Sequence, residues 1–310
     1  MAQSQLAAER DAAERPPVDR KAVLDRLDRV DDPELDRSIV ELEYVDAIEI
    51  NAGDTSRMDG DGSDAGESNA EGSKVFVRFK LPTAWCSPTF AWMMATGIRD
   101  ETEELPGVSR ATVELIDHMH ATEINDGVNA REPFEEAFED ATEGIEETRR
   151  SLDRKARLAR QYRAVEALLD VGMRPEQIVS LSPADVGLAD LLAEGRDVEA
   201  DIGESSDSDD EAGDRDEAHV TIPVDGGALY VQVPREPIAV YVTKAIDTDL
   251  LASPDDVLFA TPDGEAISVE DFDLVHHRAR AANVNQIGQG GVCASLHEAR
   301  YGLSVDEPAD

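Results

Sequence analysis

A chain of 310 residues is long enough for two domains of ordinary size, each burying its own core. Its 69 acidic residues outnumber 29 basic ones, only five of them lysine, which leaves a formal charge of −40. That balance excludes generic affinity for nucleic acid or anionic membranes, because phosphate binding rests on lysine and arginine.

No apolar run approaches the length that spans a bilayer, and no basic-then-apolar leader opens the sequence, so the expected location is cytoplasmic. The two cysteines, Cys86 and Cys293, lie far apart, which suits free thiols in a reducing compartment better than a disulfide framework.

Residues 1–19 are polar and alanine-rich without a clear period, and are expected to form a flexible arm. From Asp19 the spacing Val23, Leu24, Leu27, Val30 predicts a short amphipathic helix, which Asp31-Asp32-Pro33-Glu34 stops because the residue before a proline is pushed out of the helical region. Ser38 to Leu42 is expected as a turn or short helix, and Tyr44 to Ile50 as a strand. Residues 51–73 are mostly Gly, Ser, Asp, Asn and Glu, and are expected to be a disordered acidic insertion in a hairpin loop. Lys74 to Leu81 alternates as the partner strand, a helix follows to about Glu104, and Val108 to Ile116 alternates again with Ala111, Val113 and Leu115 on one face.

Helix, strand, strand, helix, strand predicts a two-layer α+β domain over residues 20–117. A helical segment is expected over 118–194, with one long helical region from Pro133 to about Gly172 carrying the stripe Leu152, Ala156, Ala159, Tyr162, Val165, Leu169. Residues 195–217 are a second acidic linker, and 218–304 are expected to form a small α+β domain. That domain opens with a hairpin turned by Asp225-Gly226-Gly227, continues through a helix from Pro237 to Ile246 and a second hairpin around Thr261-Pro262-Asp263-Gly264, and closes with helices from Val269 to Tyr301.

Leu81-Pro82-Thr83-Ala84-Trp85-Cys86-Ser87-Pro88 joins the strand ending at Leu81 to the helix that follows, so Cys86 sits at a strand-to-helix junction. Ser87 is expected to cap that helix, and Pro88 suits its first turn. A thiol there faces unpaired N–H groups and the positive end of the helix dipole, which favour the thiolate that binds soft metals or attacks electrophiles. The alternative is an inert half-buried thiol.

The first unit resembles the MIP18-type (DUF59) family, which includes PaaD-like proteins and iron–sulfur cluster assembly factors. The resemblance rests on Asp32-Pro33-Glu34, on Ser38-Ile39-Val40-Glu41-Leu42 leading into the first strand, on Thr83 and Cys86 at the junction, and on Leu105-Pro106-Gly107-Val108 before the last strand. Two positions depart from the family pattern: Ser87 stands between the cysteine and the proline, and Glu43 replaces a common glycine before the first strand. The dispersed acidity and scarcity of lysine resemble proteins of salt-loving archaea, and at ordinary ionic strength such charge should destabilise the fold. Trp85-Cys86-Ser87-Pro88 and Asp117-His118 with Glu123-Ile124-Asn125 are similar to long, oxygenase-associated versions of the family.

The resemblance implies a non-enzymatic accessory factor that carries iron or an iron–sulfur cluster transiently and delivers it to client iron or iron–sulfur proteins, an oxygenase among them. Cys86 would be the main metal ligand, with Asp32, Glu34, Thr83 and Ser87 framing the site. A permanently held cluster usually needs four protein ligands, so one cysteine suits labile binding, completed by a partner's thiols or across a homodimer.

Further candidates lie outside that set. Asp117, His118, His120 and Glu123 follow the last strand and can complete a metal shell with Cys86, or can simply be surface residues. Cys293 and His297 are spaced i, i+4 on an expected helix and share a face, as a metal-ligand pair or by chance. Cys86 with His118 or His120 also permits a cysteine-dependent hydrolase or transferase, although no oxyanion loop or phosphate-binding signature accompanies it. A pure interaction scaffold is the remaining alternative. Arg149, Arg150, Arg154, Lys155, Arg157, Arg160 and Arg163 concentrate cations on one helix, either paired against the Glu132 to Glu147 segment or free to dock an acidic client.

Overall fold

The computed structural model describes residues 18–51, 72–138, 144–194 and 219–302. Apart from their edges, the expected N-terminal arm, acidic insertion and acidic linker lie outside the described residues. The chain is mixed α+β, as the order of its periodic segments requires, and divides into two compact units. Among the described residues the first unit comprises 18–33, 37–51, 72–138, 144–145 and 293–302, and the second comprises 34–36, 146–194 and 219–292. The sequence separates a helical segment from a C-terminal domain. The structure gives their residues one shared core, in which Val165 and Leu168 join Ile222, Tyr241, Val242 and Phe272.

In the first unit, helix α1 (Arg20–Leu27) is capped by Asp19, whose carboxylate accepts the Ala22 N–H at 2.8 Å. Two short strands follow, β1 (Asp31–Asp32) and β2 (Arg37–Ser38), paired as a miniature hairpin where the sequence suggested only a stop and a turn. Ser38 to Tyr44 then winds through backbone bonds from Leu42 to Ser38 and from Tyr44 to Ile39. Glu43 has φ 57°, in the left-handed region that glycine enters most cheaply, which is the physical reason a glycine suits this position.

The main sheet has the order β3-β4-β5. Strand β3 (Val45–Asn51) pairs antiparallel with β4 (Ser73–Lys80), and β4 pairs in parallel with β5 (Val108–Ile116). Helix α2 (Pro88–Glu103) makes the crossover between the two parallel strands. Val75, Val77 and Phe79 of β4 and Ala111, Val113 and Leu115 of β5 are buried on one face, packed with α1 and α2 through Val23, Leu27, Ala91, Met94 and Ile98. On the other face Arg78 pairs with Glu114 at 2.6 Å, and Lys80 with Asp46 at 3.4 Å.

Within the segment expected to be helical, ahead of the long region expected from Pro133, Ala121–Ala130 is a helix, α3, lying along the free edge of β5. Asn125 and Asn129, one turn apart, each grip that edge. Asn125 accepts from Leu115 N–H at 2.7 Å and donates to its carbonyl at 3.0 Å. Asn129 does the same for Val113 at 2.9 and 2.8 Å. Two amides thus satisfy an edge that would otherwise be open to another strand. Gly127 lets the helix approach α2, since a Cβ there would fall 2.5 Å from the Trp92 ring. Trp92 packs edge-on against Phe134 in the short helix α4 (Phe134–Ala137).

The second unit is built on α5 (Ile145–Asp170), so the single helical region expected from Pro133 is two helices. The short helices α6 (Pro175–Ile178) and α7 (Leu191–Glu194) follow. The expected hairpin of β6 (His219–Val224) and β7 (Leu229–Pro234) forms around Asp225-Gly226-Gly227, then come α8 (Arg235–Asp247) and the 30-residue helix α9 (Phe272–Tyr301). At Thr261-Pro262-Asp263-Gly264 there is a tight turn with one isolated bridge, Ala260 to Ala266, where strands were expected.

Two arginines of α5 are buried and therefore not available to dock a client. Arg157 donates to the Thr261 and Pro262 carbonyls, and Arg160 makes a two-toothed pair with Asp36 at 2.6 and 3.0 Å. Lys244 lies 3.6 Å from the same carboxylate and 2.9 Å from Asp153. Burial pulls its pKa down, but Asp36 and Asp153 outweigh that and hold it above the usual value.

Asp36→Ala would leave the buried Arg160 and Lys244 short of their shared anion, and should cost about 3–5 kcal/mol in urea unfolding. Asn129→Ala should cost roughly 1–3 kcal/mol and speed hydrogen exchange at the Val113 amide, because both polar groups of that residue lose their partner.

Candidate functional site

Parallel pairing brings the outgoing ends of β4 and β5 to the same edge of the sheet, and the candidate residues gather there. The chain leaving β4 passes Leu81 and Pro82, both buried, and turns at Thr83. The Thr83 hydroxyl oxygen accepts the Trp85 N–H at 3.2 Å and lies 3.4 Å from the Cys86 sulfur. Between hydroxyl and sulfur, Thr83 can donate its proton to a thiolate or accept from the thiol. Cys86 is half-buried against the edge of the core.

Ser87 is the N-cap of α2, but its side chain makes no capping bond. The first turn is closed instead by its carbonyl, which accepts from Ala91 N–H at 3.0 Å, and by Pro88 at the first helical positions. Cys86 therefore stands one residue before the cap.

The chain leaving β5 turns at Asp117, whose φ of 55° is left-handed, and drops His118 inward to 8% exposure. His118 Nε2 is 2.9 Å from the Cys86 carbonyl oxygen, and Nδ1 is 3.2 Å from the His120 N–H. A carbonyl only accepts and an amide only donates, so Nε2 carries the proton and Nδ1 does not. Burial lowers the His118 pKa more than its bond to Cys86 raises it, which keeps the ring neutral. Both nitrogens are thus committed to backbone. His118 holds the Cys86 peptide in place and does not meet the sulfur as a catalytic base would.

Met119 donates its N–H to the Ala84 carbonyl at 3.1 Å, a second clip between the two strand exits. It leaves two apolar side chains outside, Trp85 at 76% and Met119 at 52% exposure. His120 lies edge-on to Phe138, and its Nδ1 is 3.9 Å from a Glu123 oxygen. Among the described residues, no three His, Cys, Asp or Glu side chains converge as a ready metal shell.

Of the framing residues, Asp32 is buried and accepts from the Tyr44 hydroxyl at 3.4 Å. Glu34 belongs to the second unit, where it accepts from Gln289 at 2.9 Å.

The end of α9 belongs to the first unit, which local sequence signals did not indicate. Arg300 donates to the Asp117 carbonyl at 2.7 Å and stacks on Tyr301. Tyr301 donates to the Leu81 carbonyl at 3.3 Å, with the Lys80 ammonium 4.3 Å over its ring. Cys293 and His297 lie on the same stretch of helix. Tyr44, an ordinary strand-start aromatic in the sequence, is wholly buried among these groups. Burial, followed by Asp32, Cys293 and Cys86, pushes its pKa far above the usual phenol range.

His118 ties stability to pH. Its folded pKa is below the unfolded value near 6.5, so its contribution is complete above about pH 6.5 and is lost as the pH falls below it. The urea midpoint should fall between pH 7.5 and 5.5, and His118→Gln should flatten that fall. Equal slopes in the two chains would show that the protonation lies elsewhere.

A family model described as an iron-sulfur cluster assembly protein matches residues 20–56, the stretch from α1 into β3 that carries Asp32, Glu34 and Glu43. The match ends before the Cys86 junction. No curated protein and no solved structure matches the chain. The match supports an iron–sulfur cluster assembly relationship for the N-terminal segment.

Proposed function

We propose that the chain is a non-enzymatic accessory factor for iron–sulfur cluster or iron-site assembly, with a first unit of the MIP18 (DUF59, PaaD-like) type. Cys86 binds iron or a cluster transiently and passes it to client iron or iron–sulfur proteins, for which an oxygenase is a candidate. The observation that carries this is the setting of Cys86. The thiol is half-buried beside the Thr83 hydroxyl, its peptide is pinned by His118, and it is flanked by exposed Trp85 and Met119. The family match to residues 20–56 supports the same direction.

Iron is cargo in this reading. A single sulfur supplies one bond and leaves the other positions to water, to a second copy or to the client's own thiols, so the cargo is held weakly enough to leave. Trp85 and Met119 offer apolar area for a client next to the ligand, and aromatic and methionine side chains suit such contacts. His120, half-exposed beside that strand exit, and Glu123, exposed in the first turn of α3, are further donors in the same region.

Anaerobic reconstitution with ferrous iron and sulfide in molar potassium chloride tests the assignment. Wild type should take up iron with sulfur-to-iron absorbance, and Cys86→Ser should lose most of both. Equal iron content and absorbance in the two proteins would refute Cys86 as the ligand. Thr83→Val removes the hydroxyl at nearly constant volume, and should weaken iron retention by about 0.5–1.5 kcal/mol while iron-free unfolding changes little.

A further inference from the structure

A cavity of about 480 Å³ opens in the first unit beside Tyr44, and its lining includes Arg37, Tyr44, Lys80, Cys293 and His297. Cys293 and His297 are one helical turn apart on α9, so their side chains share a face, with Cβ atoms about 5–6 Å apart. The imidazole is packed between Tyr44 and Tyr301, at ring centroid distances of 5.8 and 5.0 Å.

Among the described residues its Nε2, shut off from solvent, has no hydrogen-bond partner. A buried nitrogen left without a partner is destabilising, and an ion reached by a turn of the ring toward the cavity would satisfy it. Burial and then Lys80 hold the His297 pKa below its usual value, so the ring is neutral at pH 7 and keeps a lone pair. The neighbouring phenol stays protonated and cannot compete as a phenolate.

We propose that this cavity is a second metal site, in which Cys293 and His297 supply sulfur and nitrogen to a thiophilic divalent transition-metal ion. The pair is of the kind that iron and zinc accept, and the cavity leaves the remaining coordination positions to water or to a donor brought by a partner. On binding, the Cys293 S–H bond breaks, its proton passes to water, and the sulfur pair forms the bond to the metal. No electron is transferred. The proposal rests on the reading of the chain as an iron-handling factor, and places an acceptor for an incoming or outgoing ion in the same unit as Cys86.

Cobalt(II) titration of the full chain, under anaerobic conditions in molar potassium chloride, tests it through the thiolate-to-cobalt charge-transfer band. Cys86→Ser should keep a band that Cys293→Ser loses, and His297→Gln should weaken that component about tenfold or more. In wild type, cobalt(II) should slow alkylation of Cys293 by iodoacetamide at least tenfold, a readout that needs no folded variant. Cobalt binding unchanged in both Cys293→Ser and His297→Gln, or a Cys293 alkylation rate indifferent to cobalt, would overturn the proposal. Equal iron content and absorbance in wild type and Cys86→Ser would sink the function proposed above and leave this site standing.

Discussion

Parallel pairing of β4 with β5 is the constraint on which the site depends. Two strands that run the same way deliver their following residues to one edge, so the chain leaving Leu81 and the chain leaving Ile116 emerge side by side. Everything at the thiol follows from that adjacency. His118 from the second exit reaches the carbonyl of Cys86 on the first, and Met119 clips Ala84. An antiparallel third strand would have sent His118 to the opposite edge.

The edge of β5 shows a second device that belongs to tertiary structure. A helix presents side chains every 3.6 residues and a strand presents backbone pairs every two, so amides at i and i+4 span two successive pairs of a strand. Asn125 and Asn129 use that coincidence to stand in for a missing strand. The helix that carries them also closes over Trp92, where only Gly127 has room. Sheet edge, helix and aromatic cluster are thus one cooperative arrangement around the exit of β5.

Charge acts in two registers. Over the surface, the acidic excess repels itself and is relieved by salt. Inside, the few cations are placed where each satisfies several oxygens. Arg160 and Lys244 hold Asp36, and Arg157 holds the Thr261 turn by its carbonyls. In the first unit Lys80 and Arg300 share the ring of Tyr301, which anchors the end of α9 to Leu81. A chain so poor in lysine spends two of its five on these buried or half-buried posts.

The sequence by itself determined the α+β class, the strands around residues 45–51, 73–80 and 108–116, the junction cysteine and the proline that starts its helix. Alternation of apolar residues, proline and turn glycines are local signals and need no partner to be read. It also marked Glu43 as standing where a glycine belongs, and the backbone there is left-handed. Tertiary structure alone decided the role of His118, because two backbone groups from different segments fix its tautomer. It alone decided that Cys293, His297 and Tyr301 belong with the first unit, more than two hundred residues after Tyr44 and Lys80, since sequence periodicity says which face of a helix is apolar and nothing about which surface it covers.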